Sequence, residues 1–316
     1  MTVPQPVAPD DSLWTMLAIA APHRAAAIRM ACVLEATAPK VGNVHPAAHF
    51  HDLNYSHFVA AADAAADVLS DLCGAVDVGA AIASAVAASV IATGTNVNLG
   101  IVLLLAPLVA SESTREVTAD SSIAQRWANW QSRTSQLLAQ LDLQQGAMIA
   151  SAIADANAGG LSDETLGPDH PLDVTRQHDA SYDILEAMRC AASRDRIALQ
   201  YANGYRDLFD HVVPTLNRWV TQTGDVLSGI VWAHIALIAE AGDSLIGRKC
   251  GQAESDRVAG LARECLAAYD RPAQRGPSIH RLDTALRADG NRLNPGTTAD
   301  LIAAALYVHL RSNTNT

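Results

Sequence analysis

Apolar residues recur at three- and four-residue spacing through most of the chain, the mark of helices that each bury one face. The spacing predicts helices over 11–20, 22–37, 56–75, 78–92, 99–110, 120–141, 144–157, 179–192, 195–222, 225–241, 252–269, 278–289 and 297–312. Strict apolar–polar alternation, which a half-buried strand requires, is hard to find. The punctuation agrees: Pro22 opens one helix, Ser56 caps another, Gly159-Gly160 ends a third and Gly224 closes the one before Asp225. The expected fold is therefore all-α, with a flexible tail over residues 1–10 and one multi-helix domain over 11–316. Two irregular connections, 160–178 and 271–278, interrupt it, and no fixed-period repeat is visible.

Composition sharpens this picture. The chain of 316 residues holds 60 alanines and is 49% apolar but only 4% aromatic, so it can fill a core and should fill it with closely packed helices. Acidic residues exceed basic ones to give a net charge of −11, which disfavours nucleic acid or an anionic membrane as partner. A polyanionic small molecule must then be held by local groups or a metal. No charge occurs between Asp77 and Glu112, a stretch long enough for a bilayer, but Gly94 to Asn98 divides it and its first half is mostly Ala and Ser. It reads as a buried central hairpin. The five cysteines form no C-x-x-C pair and the N-terminus lacks a basic and an apolar leader region, so a reducing cytoplasm is the expected location. Ala-rich helix faces suit a homodimer. Trp127, Trp130, Trp219 and Trp232 read as core or interface anchors, and Asp163, Asp169, His170 and Asp173 as solvated loop residues.

Four segments break the helical pattern with Gly, Pro, Asn and charge. The first runs from Glu35 through Pro39, Lys40, Gly42, Asn43 and Val44 to His45, His49, His51 and Asp52. Pro39 and Gly42 end the preceding helix there, placing Lys40 on a turn with its ammonium free for a ligand. The second is Gly94-Thr95-Asn96-Val97-Asn98-Leu99-Gly100, a turn that offers N–H groups and amides beside a helix start. The third spans Asp243 to Gly251 and includes Arg248 and Lys249; the fourth is Asn294-Pro295-Gly296-Thr297-Thr298-Ala299-Asp300-Leu301. The only two lysines of the chain, Lys40 and Lys249, both lie in these breaks. A compact ammonium on a flexible stem suits phosphate as a point charge.

In order and spacing the four breaks resemble the triphosphoribosyl-dephospho-CoA synthase family. Its E-x-x-x-P-K-P-G-x-V element is similar to Glu35, Pro39, Lys40, Gly42 and Val44, and its H-x-D-M element to Asp52-Leu53. Its G-V-N-T-H-K-G turn resembles Gly94 to Gly100, its D-D-T-N-V-x-H-R-G-G element Gly242 to Gly251, and its S-P-G-G-S-A-D-L-L ending Asn294 to Leu301. The departures are Val41 for the second proline, His51 for a lysine, Asn98-Leu99 for His-Lys and Arg248 for a histidine. They make the chain most similar to divergent members found beside tetrahydromethanopterin genes in methylotrophs and archaea.

The resemblance implies transfer of a triphosphoribosyl group from ATP to the 2′-hydroxyl of 3′-dephospho-CoA with release of adenine. Such a transfer needs a carboxylate near the anomeric carbon, plus Mg²⁺ and cations for the triphosphate. It implies Asp52 and Asp243 as metal ligands or bases with Glu35 in support. Lys40, Gly42, Asn43, Gly94, Asn96, Asn98, Arg248, Lys249, Gly296 and Asp300 would contact substrate and phosphate. Phosphoribosyl transfer to a tetrahydromethanopterin-pathway acceptor is the alternative within the class. A different class, the metal-dependent HD phosphohydrolases, is suggested by His45, His49 and the adjacent His51-Asp52, although Pro39, Gly42 and Pro46 put the upstream histidines on a loop. A helical scaffold without an active site is the third reading.

Overall fold

A computed structural model describes residues 11–72, 77–113, 122–156 and 181–313. The described secondary structure is helical. In chain order the helices are α1 (Asp11–Ala20), α2 (Arg24–Thr37), α3 (Tyr55–Leu69), α4 (Val78–Thr93), α5 (Leu99–Ser111), α6 (Ile123–Leu138), α7 (Leu143–Asp155) and α8 (Ile184–Ala191). After α9 (Arg196–Asn203) a π-helical turn, Leu208–Val212, leads into α10 (Val213–Thr223). The chain finishes with α11 (Val226–Ala241), α12 (Ser244–Cys250), α13 (Gln252–Leu266), α14 (Pro272–Arg287) and α15 (Gly296–Ser312).

One apolar core runs through these helices, and α5, α11 and α15 lie at its centre with almost every residue buried. The predicted central hairpin is thus fully buried only in its second arm. Helix α4 buries Val78, Ile82, Ala85 and Val86 and leaves Ile91 exposed. No single helix among the described residues is long and apolar enough to cross a membrane.

The centre of the core carries one proline. Pro107 lacks the N–H that would donate to Leu103, so that carbonyl is left over inside the core. Two hydroxyls take it: Tyr201 donates at 2.8 Å and Tyr205 at 3.2 Å, with Tyr205 also 3.0 Å from the Leu104 carbonyl. Reaching it bends the chain. Gly204 and Tyr205 adopt φ of 65° and 66°, which ends α9 and breaks the helix expected over 195–222. Glu112, just past α5, receives Tyr307 at 2.6 Å, Arg311 at 2.6 and 2.8 Å and Arg24 at 3.2 Å, tying α2 and α15 to the end of α5.

Other departures are local. The connection expected at 271–278 is the start of α14, because Pro272 occupies the first turn, where its missing N–H costs nothing. Helix α12 falls inside the third break and has too few residues to show a period. The 160–178 connection, with its acidic residues and His170, lies outside the described residues. Trp130, Trp219 and Trp232 are core residues as expected, while Trp127 is partly exposed and donates to Ser312 Oγ at 3.1 Å.

Replacing both Tyr201 and Tyr205 by Phe leaves the Leu103 carbonyl without a donor and should cost about 1–3 kcal/mol in denaturant unfolding. Adding Pro107→Ala restores a backbone donor and should recover part of that loss. If it recovers nothing, the hydroxyls do not serve the proline.

Candidate active site

The four sequence breaks meet around the starts of α5, α12 and α15 and the end of α2. The first break leaves α2 at Ala38 and turns at Gly42, whose φ is +69° and where a Cβ would lie 2.9 Å from Leu286. Helix α14 clamps this turn. The Gly42 N–H donates to Asp283 Oδ1 at 2.8 Å, Arg287 pairs with the same carboxylate at 2.9 Å, and Arg287 also donates to the Asn43 carbonyl and lies over the Phe50 ring. The Asn43 amide nitrogen is 3.2 Å from Nε2 of His234, a buried histidine of α11.

Lys40 stands on the predicted turn, but its ammonium is spent. It is fully buried, 2.8 Å from Glu35 Oε1, and donates also to the Glu35 carbonyl. It therefore acts on the site through its charge. Burial and the nearby Lys40 charge push the His234 imidazole down to about 3, so it is neutral.

Asp243 precedes α12, and its carboxylate is saturated. Oδ1 accepts the N–H groups of Leu245 and Ile246 at 2.9 and 3.2 Å, and Oδ2 accepts the N–H and hydroxyl of Thr298 at 2.8 and 2.7 Å. Ser255 closes the backbone side, accepting from the Asp243 N–H and donating to its carbonyl, both at 3.0 Å. Burial raises this carboxyl, and the bonds from Thr298, Ile246 and Leu245 oppose that rise.

Asp300, in the first turn of α15, is different. Part of it reaches solvent and no described residue donates a hydrogen bond to it. Its carboxylate rests on the α-carbon of Gly100, where a Cβ would come within 2.0 Å of Oδ2. Burial holds the carboxyl well above the usual range, reinforced by the negative charges of Glu35 and Asp243 and opposed by Arg248 and Lys40.

Arg248 pairs with Asp195, the residue that caps α9, and burial lowers its guanidinium while Asp300 opposes the shift. Lys249 is half-buried, with Nζ 3.4 Å from the Asn291 carbonyl. Burial lowers its ammonium first of all, with Arg248 adding to this and the fields of Asp243 and Asp52 opposing it. Asp52 is exposed and has no described partner.

The glycine turn is built by its own amides. Asn96 Oδ1 accepts the Leu99 N–H at 3.1 Å, and the buried Asn98 donates to the Ala61 carbonyl at 3.2 Å and Ser89 Oγ at 3.1 Å. Gly94 ends α4 with open space beside it, and Gly296 admits Leu245 against its α-carbon. Sequence reasoning missed His234, Asp283, Arg287, Thr298 and Asp195. Three left a trace: Asp283 and Arg287 in their spacing of four, and His234 as one imidazole inside the apolar run of α11.

No three His, Cys, Asp or Glu side chains among the described residues are grouped to hold a metal, and His49 and His51 are exposed. Asp243 does not fit a Mg²⁺ ion, since its acceptor positions are filled, and Glu35 is committed to Lys40. Asp52 does fit, as a single exposed carboxylate with no described partner whose field reaches Lys249, because Mg²⁺ commonly takes one or two carboxylates and completes its shell with water and phosphate oxygens.

The profile of the ATP:dephospho-CoA triphosphoribosyl transferase family matches residues 21–316. A solved structure from Archaeoglobus fulgidus, inferred to be a triphosphoribosyl-dephospho-CoA synthase, superposes with a TM-score of 0.60. It is 20% identical, and the match covers 82% of this chain and 99% of that one, a likeness of fold. No curated protein matches.

Lys40→Met would strand Glu35 without its counter-charge and should destabilise the protein by about 3–5 kcal/mol in urea unfolding. Pairing it with Glu35→Leu should restore most of that. A single substitution that leaves stability unchanged would show that the ion pair is not structural.

Proposed function

The chain belongs to the ATP:dephospho-CoA triphosphoribosyl transferase family, a family of pentosyl transferases, and on that premise we propose that Asp300 is its catalytic carboxylate. One observation carries the assignment. Of the three carboxylates gathered at the ends of α2, α12 and α15, Asp300 alone is partly accessible and free of hydrogen-bond donors, whereas Glu35 is paired with Lys40 and Asp243 accepts four hydrogen bonds. In the transfer, the bond from the ribose anomeric carbon of ATP to adenine breaks and a bond from that carbon to the acceptor hydroxyl oxygen forms. The triphosphate stays attached to the ribose. The hydroxyl proton goes to Asp300 Oδ, and adenine leaves with the electron pair of the broken bond.

A carboxylate whose affinity for protons is raised by burial and by Glu35 and Asp243 suits that role better than an ordinary one. While ionised it also faces the positive charge that grows on the anomeric carbon. Glu35 and Lys40 set its field from beneath, and Asp243 fixes its position through Thr298, two residues away on the same turn. Arg248 and Lys249 take the phosphates. Mg²⁺ held by Asp52 would neutralise part of the triphosphate charge. The turn amides Asn96 and Asn98 and the glycines Gly42, Gly94 and Gly296 shape the pocket wall, and Asn43 reaches it from the clamped turn.

Asp300→Asn should lower kcat by 10²–10⁴-fold, the usual scale of proton-transfer catalysis, with the ATP dissociation constant within a few-fold of the parent. The acid limb of kcat/KM should lie above the ordinary carboxylate range, because the base must be ionised. Glu35→Gln removes a negative neighbour, so it should move that limb to lower pH. Adenine release measured across pH checks all three. An active Asp300→Asn enzyme with an unshifted limb would overturn the assignment.

A further inference from the structure

We propose that the junction of α9 and α12 is an oxyanion subsite in which Arg196 joins Arg248 to receive a phosphate group of the nucleotide, held in position by Asp207 and Asp195. The inference deepens the reading of this region as a nucleotide site and rests on it. Arg196 opens α9, and its backbone N–H donates to Ser244 Oγ at 3.2 Å, which fixes the start of α9 onto the start of α12. Its guanidinium is fastened at two points, Nε to Asp207 at 2.9 Å and Nη2 at 3.0 Å. Gln200 donates to the same carboxylate at 2.7 Å. Burial alone would raise the Asp207 carboxyl, but the bonds and charge of Arg196 and the bond from Gln200 hold it below its ordinary value. The remaining nitrogen of Arg196, Nη1, is shut off from solvent and has no acceptor.

Arg248 repeats the arrangement across the junction. Its Nη1 pairs with Asp195 Oδ2, and Asp195 cannot swing away because Oδ1 accepts the N–H groups of Ile197 and Ala198 at 2.8 and 3.0 Å. The Nε of Arg248 is likewise buried without an acceptor. The two guanidinium side chains are only 15% and 17% exposed, so water does not take up the spare donors as it would on an open surface.

A buried charged donor without a partner is costly, and two at one junction, each on a fork already locked by a carboxylate, describe a place prepared for an acceptor. An anionic acceptor matches these donors, since both belong to guanidinium cations and Lys249, next in sequence to Arg248, adds a third positive group. Guanidinium forks match the oxygens of phosphate in geometry and charge. Neither Asp195, Asp207 nor Arg196 belongs to any of the four sequence breaks, so this subsite comes from the fold alone.

Inorganic tripolyphosphate is the direct probe, titrated calorimetrically into the full-length protein, with ATP and adenosine in parallel. Arg196→Lys and Arg248→Lys keep the charge and the chance of an ion pair but lose the fork. Each should weaken tripolyphosphate and ATP about tenfold and leave adenosine unchanged. Side-chain ¹⁵N NMR of the unsubstituted protein avoids any folding defect: tripolyphosphate should shift the Arg248 Nε–H resonance. If ATP binds but Arg196→Lys binds tripolyphosphate like the parent, or the Arg248 resonance does not move, the subsite is wrong while the nucleotide reading stands. If neither ATP nor tripolyphosphate binds the parent, both fail.

Discussion

The site depends on one buried carboxylate whose oxygens are all taken up by hydrogen bonds. Asp243 holds the first turn of α12 with one oxygen and the first turn of α15 with the other, and Ser255 of α13 locks its backbone. Three helices therefore share a single origin. Asp300 lies two residues beyond Thr298 and Arg248 lies five beyond Asp243, so the placement of the Asp300 carboxylate relative to the Arg248 guanidinium follows from that one knot. Satisfying all acceptor positions is what allows an ionisable group to sit in the core at all, because a carboxylate missing one or two of those donors would be driven to protonate or to open the structure. The same saturation disqualifies it as a ligand. A residue can set the geometry of a site most rigidly when it has nothing left to offer the substrate.

Much of the fold was legible because burial of one helix face leaves a period in the sequence, and the centre of the structure is helical from end to end. What the period could not show was the break between α9 and α10. That break follows from a remote proline, Pro107, whose orphaned carbonyl recruits Tyr201 and Tyr205, and no window along the chain contains both partners. The four breaks were correctly seen as exceptional, yet only geometry separates their roles. Lys40 and Asp243 looked like ligands because charge in a non-helical, glycine-bearing segment suggests exposure. Both are buried and bonded, and the charge is used to hold the segment. Asp283, Arg287 and Asp195 were missed for the converse reason: on helices or at caps, they look like ordinary surface or capping residues until the turn and the guanidinium they hold are in view.

The acidic balance of the chain, −11 overall, carries into the candidate site, and on the proposed assignment it would serve the chemistry. Lys40 pairs with Glu35, Arg248 with Asp195 and Arg196 with Asp207, while Asp243 and Asp300 have no paired cation among the described residues. A polyphosphate would be repelled by such carboxylates if it lay against them. The arrangement works only if the two ends of the ligand meet different surroundings, with phosphates toward the arginines and Lys249 and the sugar toward Asp300. The negative side then meets an uncharged sugar in the ground state and would stabilise the positive charge that an oxocarbenium-like transition state develops there. Because only interactions stronger in the transition state raise the rate, a carboxylate field at the sugar is worth more than another cation on the triphosphate. The glycine turn itself supplies no cation: Asn98 is spent on the Ala61 carbonyl and Ser89 Oγ, and the arginines of this region stand at the start of α9 and the end of α12.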